Sequence, residues 1–170
     1  MNSQTIIEFL ADGALVPVVL LGVYALVWRI PKGKRFEAYC RILMAGLTAY
    51  LVAKLLGSVY QPSGERPFEI LGVEPGASYL NNPGFPSDHV LFLSALTLAV
   101  WFETKSRTIT IIMAVLTALV ALGRVLALVH TPLDVIGGAL IACVGALWYF
   151  ERYEKPVRAN TRQTHKNLVQ

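Results

Sequence analysis

Five long apolar segments, separated by shorter polar stretches, form the main pattern of the chain. They cover residues 14–28, 39–60, 86–102, 108–129 and 132–150. Most of them approach the ~20 residues that a helix needs to cross ~30 Å of hydrocarbon, and the third, of about 17 residues, is marginal. Residues 1–13 place several apolar side chains near one face of a short helix, which is typical of a segment in the membrane interface. The pattern predicts about five transmembrane helices preceded by a short N-terminal interfacial helix.

The composition indicates a membrane protein rather than a soluble one. The chain has 170 residues, of which 55% are hydrophobic and only 15% are charged. A soluble domain of this size could not bury so much apolar surface, whereas membrane-spanning helices turn it toward lipid. Glu8 and Asp12 stand where a signal peptide would be basic, so we expect the first apolar segment to stay in the mature protein. The predicted fold is a single all-α integral membrane domain, 1–170, with a loop over residues 61–85 and a basic tail over residues 153–170.

The distribution of Lys and Arg predicts the orientation of the helices. With five crossings, twelve of the fifteen Lys and Arg lie on one face, namely Arg29, Lys32, Lys34, Arg35, Arg41, Lys105, Arg107, Arg152, Lys155, Arg158, Arg162 and Lys166. The positive-inside rule makes that face and the C-terminus cytoplasmic. The remaining cations, Lys54, Arg66 and Arg124, then belong to the opposite, outer face. We therefore expect a multi-pass protein of the plasma (inner) membrane whose functional site is extracytoplasmic.

The net charge of +4 does not indicate a nucleic-acid partner. The basic loops and tail suit contacts with the anionic lipids of the inner leaflet. No basic stretch is interleaved with base-stacking aromatic residues, as a nucleic-acid-binding surface would require. The sequence does not indicate an oligomeric state.

The stretch from Gly123 to Asp134, GRVLALVHTPLD, interrupts an apolar run with charged and titratable residues. Such residues at membrane depth cost at least ~2.5 kcal/mol each on insertion scales and usually mark a functional site. Pro132 cannot continue the preceding helix, so we expect a break near His130 and a new helix that begins at Pro132. Asp134 would lie in its first turn, within reach of His130. A carboxylate bonded to one imidazole nitrogen leaves the other free as a base, ligand or nucleophile.

A second polar stretch, NPGFPSDH over residues 82–89, predicts a turn that runs into a helix. Ser87 or Asp88 can cap that helix with a side-chain oxygen. The exposed amides of the helix N-terminus attract anions, because the helix dipole places partial positive charge there. His89 then lies in the first turn, beside the predicted anion site.

Three cations, Lys54, Arg66 and Arg124, share the outer face with few expected acids to neutralise them. Such a group predicts a pocket for a polyanion such as phosphate. Two histidines beside a phosphate pocket indicate covalent phosphoryl transfer. One histidine attacks phosphorus, the other protonates the leaving oxygen, and water later releases the phosphate.

Three other interpretations of the same residues stay open at this point. A divalent metal could be bound by His89, His130, Asp88 and Asp134, although three nearby cations would oppose it. Intramembrane His, Asp and Arg residues also build ion and proton pathways, which would make the protein a transporter. The polar residues could instead be purely structural and close a helical bundle.

The motifs resemble those of the membrane branch of the type-2 phosphatidic acid phosphatase and vanadium haloperoxidase superfamily. That family shows a lysine followed by Arg-Pro, then Pro-Ser-Gly-His, then an arginine, a histidine and an aspartate at fixed spacing. The matching residues here are Lys54 with Arg66-Pro67, Pro86-Ser87-Asp88-His89, and Arg124 with His130 and Asp134. The chain departs from the family at two positions, because Lys54 and Arg66 are further apart than usual and Asp88 replaces glycine.

The resemblance implies a role for each matching residue and a class of substrate. His130 would be the nucleophile, Asp134 would orient it, and His89 would be the general acid. The phosphoryl group would be bound by Lys54, Arg66, Ser87 and Arg124 with the backbone at Asp88, and no metal or other cofactor would be needed. The motifs look most like those of bacterial undecaprenyl-diphosphate phosphatases of the bacitracin-resistance type. The expected substrate is therefore undecaprenyl diphosphate in the outer leaflet, with phosphatidylglycerol phosphate and phosphatidic acid as alternatives.

Overall fold

The computed structural model describes residues 2–62, 64–82 and 84–153, without the side chains of residues 151–153. The predicted basic tail lies outside these residues beyond Tyr153. Over the part of the chain that the structure describes, the fold is all-helical and contains no strand. Four of its helices are long and apolar enough to cross a membrane: Ser3–Arg29, Lys32–Val59, Arg107–Leu126 and Pro132–Phe150. The predicted all-α, multi-pass membrane fold is confirmed.

Six helices are labelled in chain order. They are α1 (Ser3–Arg29), α2 (Arg35–Val59), α3 (Pro67–Leu71), α4 (Asp88–Thr104), α5 (Arg107–Leu126) and α6 (Pro132–Gly145). Helix α1 is α-helical over Ser3–Glu8 and Leu15–Tyr24, with π-helical turns over Phe9–Gly13 and Ala25–Arg29. Short 3₁₀ segments precede α2 at Lys32–Lys34 and continue α6 over Ala146–Tyr153.

Residues 1–13, which the sequence predicts to form a short interfacial helix, lead directly into the first long helix of the described residues. Residues 3–13 are helical as predicted, but they form the first turns of α1. Ala11 is fully buried, and a Cβ added to Gly123 of α5 would lie 2.6 Å from the Ala11 backbone nitrogen. The small residues Ala11 and Gly123 therefore let α1 pack directly on α5. The position of residues 1–13 in the membrane interface stays a prediction.

Helix α4 occupies the centre of the bundle and packs against all four of the other long helices. Its 17 residues make it shorter than its neighbours. Leu93 and Val100 of α4 are fully buried in a core shared with α1 and α5, which contribute Val18, Met113 and Val120. Because α4 is buried on several sides, its N-terminus is the point on which the surrounding elements converge.

Large apolar side chains cover the outside of the bundle. Leu20, Leu43, Leu55, Ile111 and Leu140 each expose more than 60% of their surface. Water would make this arrangement unfavourable, whereas lipid tails solvate such side chains. The exposed surface therefore agrees with a protein that is embedded in a bilayer.

Small residues recur about once per helical turn in two helices, and this spacing predicts close packing of both: Gly138, Ala142 and Ala146 in α6, and Ala114, Ala118 and Ala121 in α5. A Cβ added at Gly138 of α6 would lie 2.7 Å from the Ser87 carbonyl oxygen, and Ala142 and Ala146 are buried, as expected. By contrast, Ala114, Ala118 and Ala121 of α5 line an open apolar groove of about 420 Å³ between α4, α5 and α6. The packing expectation is wrong for α5, because α5 and α6 share few contacts and leave this groove between them.

Candidate active site

The predicted site residues meet at one end of the bundle, around the N-terminus of α4. The loop after α2, the start of α4 and the junction of α5 with α6 enclose a small cavity there. Its lining is formed by Arg66, Leu80, Asn82, Pro86, Asp88, His89, Arg124 and His130. The free volume is about 10 Å³, roughly the room that one water molecule needs. A phosphate group can therefore enter only if part of this lining moves.

The junction of α5 and α6 follows the sequence prediction. Helix α5 ends at Leu126, and α6 begins at Pro132 with Thr131 as its N-cap. The Thr131 amide donates to Asp134 Oδ2 at 2.7 Å, and the Asp134 amide donates to Thr131 Oγ1 at 3.3 Å. This reciprocal pair is a capping box. It fixes the carboxylate of Asp134 beside the break in the chain, where His130 lies.

His130 and Asp134 form a buried pair at this junction. His130 Nδ1 lies 3.6 Å from Asp134 Oδ2, and both side chains are almost fully buried. The distance is longer than a normal hydrogen bond, so the carboxylate is close enough to orient the ring but does not yet bind it tightly. Burial lowers the pKa of His130, Asp134 opposes this effect, and Arg124 and Arg66 add to the lowering. The ring is therefore neutral near pH 7.

Arg66 is held by the loops beside the cavity. Its guanidinium donates from Nη1 to the Val129 carbonyl at 2.5 Å, and from Nη2 to the Leu80 carbonyl and to the Asn82 backbone and side-chain oxygens at 3.0 Å each. These bonds tie the segment around Asn82 to the residue that precedes His130. Arg66 therefore lines the cavity as predicted, but its Nη1 and Nη2 already donate to oxygens of the protein.

Arg124 is one of the most deeply buried side chains, with 1% of its surface exposed. Its Nη1 donates to Asp12 Oδ1 at 2.8 Å and to the Ser78 carbonyl at 2.7 Å. Asp12 Oδ2 in turn accepts from the Ser78 amide at 2.9 Å. Among the described residues, Arg124 Nε has no partner. Asp12 of α1 thus contacts both Ser78 of the loop and Arg124 of α5, and Arg124 lines the cavity.

Lys54 does not line the cavity but contacts its edge. Lys54 Nζ lies 3.3 Å from Asp88 Oδ1, and Asn82 Nδ2 donates to Asp88 Oδ2 at 3.2 Å. The expectation that the three cations would have few acidic neighbours is wrong, since Lys54 pairs with Asp88 and Arg124 with Asp12. These acids come from distant parts of the chain, so the local sequence around each cation gave no indication of them.

Ser87 occupies the N-cap position of α4, but its hydroxyl does not cap the helix. The expected side-chain cap is therefore absent at this residue. Its Oγ is fully buried and has no hydrogen-bond partner among the described residues. The Ser87 amide donates to the Asp134 carbonyl at 3.0 Å, which joins the starts of α4 and α6. His89 lies in the first turn of α4, as predicted, and lines the cavity.

The four residues of the metal alternative do not form a ligand cluster. Within the described part of the chain, no group of three or more His, Cys, Asp or Glu side chains is arranged to hold a metal ion. Asp88 is engaged by Lys54 and Asn82, and Asp134 by the Thr131 amide. The geometry therefore gives the metal interpretation no support from this set of residues.

Two residues at the site were not identified from the sequence. Asp12 was interpreted only as an acidic flank of the first apolar segment, and Asn82 only as part of a turn. A carboxylate at the start of a long apolar run could have suggested a buried cation as its partner. For Asn82, which links Arg66 to Asp88, the sequence offers no comparable signal.

Comparisons with known proteins give the family. The profile of the PAP2 superfamily matches residues 38–158. The protein named "Putative undecaprenyl-diphosphatase YbjG" from Escherichia coli strain K12 is 30% identical over 145 residues, which cover 82% of this chain and 68% of the relative. "Bacitracin transport permease protein BcrC" from Bacillus licheniformis is 30% identical over 147 residues, which cover 85% of this chain and 69% of the relative. No solved structure matches the chain significantly. The chain belongs to the PAP2 superfamily.

Proposed function

We propose that the lipid phosphate on which this membrane phosphatase acts is undecaprenyl diphosphate, and that hydrolysis proceeds through a phosphohistidine at His130. The observation that carries the proposal is the position of His130 between the carboxylate of Asp134 and a cavity that is also lined by His89 and Arg124. The proposed site thus brings together four groups that the reaction needs. They are the nucleophile His130, Asp134 to orient it, His89 for proton transfer, and the cation Arg124. The ring of His130 is neutral near pH 7, which is the form that can attack phosphorus.

The proposed reaction has two steps. In the first, a ring nitrogen of His130 attacks the terminal phosphorus, the bond from phosphorus to the bridging oxygen breaks, and His89 protonates the departing lipid phosphate. In the second, water attacks the phosphohistidine, His89 takes a proton from that water, and inorganic phosphate leaves. Asp134 stabilises the charge that develops on the ring of His130 during the first step.

The phosphoryl oxygens would be bound by groups that surround the cavity. Arg124 offers its Nε and Ser87 offers its buried Oγ. Neither of these two atoms has a hydrogen-bond partner among the described residues. Arg66 would exchange its bonds to the Leu80 and Asn82 oxygens for bonds to phosphate, which also widens the cavity. The first amides of α4, including that of Asp88, add the partial positive charge of a helix N-terminus. Lys54 would approach from the outer edge.

The names of the two relatives support the choice of substrate. One is named as an undecaprenyl-diphosphatase, and the other as a protein of bacitracin transport. The positive-inside distribution of Lys and Arg favours a site on the outer face, where such a diphosphate would be met in the outer leaflet. Phosphatidylglycerol phosphate and phosphatidic acid are the alternatives, because their headgroups could also be bound by this set of cations.

The mechanism is tested by replacing His130 with alanine. We expect phosphate release from undecaprenyl diphosphate in detergent to fall to the background rate, because the nucleophile is gone, while thermal unfolding stays cooperative. His165→Ala is the matched control, since it removes a histidine that the motifs do not include. Wild-type activity should survive a chelator and be inhibited by vanadate, a phosphoryl mimic. Full activity in the His130 variant, or a requirement for added metal, would contradict the mechanism.

The choice of substrate needs a separate measurement. Initial rates on undecaprenyl diphosphate, phosphatidylglycerol phosphate and phosphatidic acid, compared at matched lipid concentrations, should rank the diphosphate first. The transporter alternative is tested with the protein in liposomes. Flux of protons or ions without any phosphate release would favour transport over hydrolysis.

A further inference from the structure

We infer that residues 79–82 form a strap that closes the catalytic cavity in the resting protein and that an entering phosphate group displaces this strap. The inference rests on the proposed function and deepens it, because it concerns how the phosphate gains access to Arg66. Three oxygens of the strap accept from Arg66 Nη2 at 3.0 Å each, namely the Leu80 carbonyl, the Asn82 carbonyl and Asn82 Oδ1. Phosphoryl oxygens bind a guanidinium through the same kind of N–H donor. The strap and a bound phosphate therefore compete for one donor group.

The strap forms part of the wall of the catalytic cavity. Leu80 and Asn82 line the cavity, and the same two residues also line a groove between α2 and α4. With the strap in this position, the cavity has room for about one water molecule. Movement of Leu80 and Asn82 would therefore enlarge the cavity and open it toward the groove in a single step.

The chain is fixed on either side of the strap. Before it, the Ser78 amide donates to Asp12 Oδ2 at 2.9 Å, and the Ser78 carbonyl accepts from Arg124 Nη1 at 2.7 Å. After it, Gln61 contacts the backbone of Phe85 twice, since Nε2 donates to the Phe85 carbonyl at 3.1 Å and Oε1 accepts from the Phe85 amide at 3.3 Å. The strap can therefore move while these two anchors, and the start of α4 that follows the second one, keep their positions.

Polar bonds hold the strap in place more than apolar burial does. The Leu80 side chain is 63% exposed, and Asn81 is exposed as well. The Tyr79 ring contacts the Phe68 ring, with a distance of 4.9 Å between the ring centroids. Segments with few buried apolar contacts open at a low cost in free energy. A phosphate forms stronger, charge-assisted hydrogen bonds to Arg66 than neutral carbonyl oxygens do, so it can displace the strap.

Asn82 is the side chain that latches the strap. Its Oδ1 accepts from Arg66, while its Nδ2 donates to Asp88 Oδ2 at 3.2 Å. Asp88 Oδ1 in turn lies 3.3 Å from Lys54 Nζ. One amide thus links Arg66 to the ion pair on the other side of the strap. Replacing Asn82 by alanine removes this link but keeps both cations and the pair of Asp88 with Lys54.

Asn82→Ala tests the latch, and Asn81→Ala is the matched control, because Asn81 is an exposed residue of the same type next to it in the chain. The measured quantity is the Kd of inorganic phosphate, obtained by titration calorimetry of the full chain in detergent. A ligand that binds only the open state has an apparent Kd that rises as the open fraction falls. We expect Asn82→Ala to lower the Kd about tenfold, the factor that corresponds to one hydrogen bond to a charged group. Asn81→Ala should leave the Kd unchanged.

The same variant has an expected effect on the reaction. The open fraction is a property of the free protein, so every phosphate ligand should gain by the same factor. We expect kcat/KM of Asn82→Ala for undecaprenyl diphosphate to rise about as much as the Kd of inorganic phosphate falls. A residue that only supports the site would give the opposite result, a loss of both binding and activity.

A second measurement uses the wild-type chain and is independent of any folding defect in the variant. Amide hydrogen exchange of residues 79–82 is compared with and without inorganic phosphate. In the closed strap the Asn82 amide donates to the Leu80 carbonyl at 2.8 Å. We expect phosphate to increase exchange in the strap, because the bound anion holds it open, whereas a ligand that binds without moving the strap would protect these amides.

Each outcome of these experiments decides the question. An unchanged or raised Kd in folded Asn82→Ala, or an equal fall in the Asn81 variant, overturns the inference. Protection of residues 79–82 by phosphate overturns it whether or not the variant folds, and so does a failure of both wild type and Asn82→Ala to bind phosphate. If phosphate binds and the strap opens as expected, but neither chain releases phosphate from undecaprenyl diphosphate, the proposed function fails and the strap stands.

Discussion

Replacement of Asp12 by asparagine is expected to lower phosphate release, although Asp12 belongs to none of the motifs. The Arg124 side chain is 1% exposed, and Asp12 supplies one of the two oxygens that its Nη1 contacts. A hydrogen bond to a charged group contributes about 1.5–3 kcal/mol. Because the Asp12 side chain is 29% exposed, solvent screening favours the lower half of that range, about 1.5–2 kcal/mol. This corresponds to a factor of about 10 to 30 in the population with Arg124 correctly placed.

The assay is the initial rate of phosphate release from undecaprenyl diphosphate in detergent micelles, with thermal unfolding measured on the same samples. We expect kcat/KM of Asp12→Asn to fall about 10- to 30-fold, and Asp12→Glu to recover part of the loss because it restores the charge. Glu8→Gln is the matched control, since it removes an exposed carboxylate one turn earlier on α1. If Asp12→Asn keeps kcat/KM within twofold of the wild type, Asp12 does not position Arg124 for the reaction.

Three further predictions follow from the site. Burial lowers the pKa of His130 below its usual ~6.5, and protonation removes its nucleophilic form. The acid limb of kcat/KM should therefore lie below pH 6.5, and a limb above it would contradict the assignment. Ser87→Ala should lower kcat/KM about tenfold without lowering the thermal midpoint. The variant removes a buried hydroxyl that has no hydrogen-bond partner among the described residues. Equal losses of activity and stability would indicate a structural role for Ser87. Gly123→Ala places a Cβ 2.6 Å from the Ala11 backbone nitrogen. It should reduce both the thermal midpoint and kcat/KM by displacing α1, and an unchanged midpoint would refute that reasoning.

The break between α5 and α6 was predictable because its causes are local. Pro132 has no amide hydrogen to donate and fixes its own backbone angle, so it ends one helix and suits the first position of the next. The spacing from Thr131 to Asp134 is that of a capping box, which places the carboxylate beside His130. The length of the apolar segments likewise indicated a membrane bundle before any packing was known.

The partners of the cations were not predictable, because they depend on how the helices pack. Asp12 and Arg124 are 112 positions apart, and Lys54 and Asp88 are 34 apart. No periodicity within one helix indicates such pairs, which arise only when α1 meets α5 and α2 meets α4. The Ser87 hydroxyl does not cap α4 because of its side-chain conformation. The general preference for serine at N-caps does not determine that conformation.

The short length of α4 has a consequence for the depth at which the phosphate is held. Its 17 residues extend for about 26 Å at ~1.5 Å per residue, less than the ~30 Å of hydrocarbon that a typical bilayer presents. Because the four longer helices surround α4, this shortfall lies inside the protein and is not met by the bilayer itself. We therefore expect the N-terminus of α4, where the proposed phosphate site lies, to be recessed between its longer neighbours, so that a lipid headgroup would reach it without leaving the leaflet.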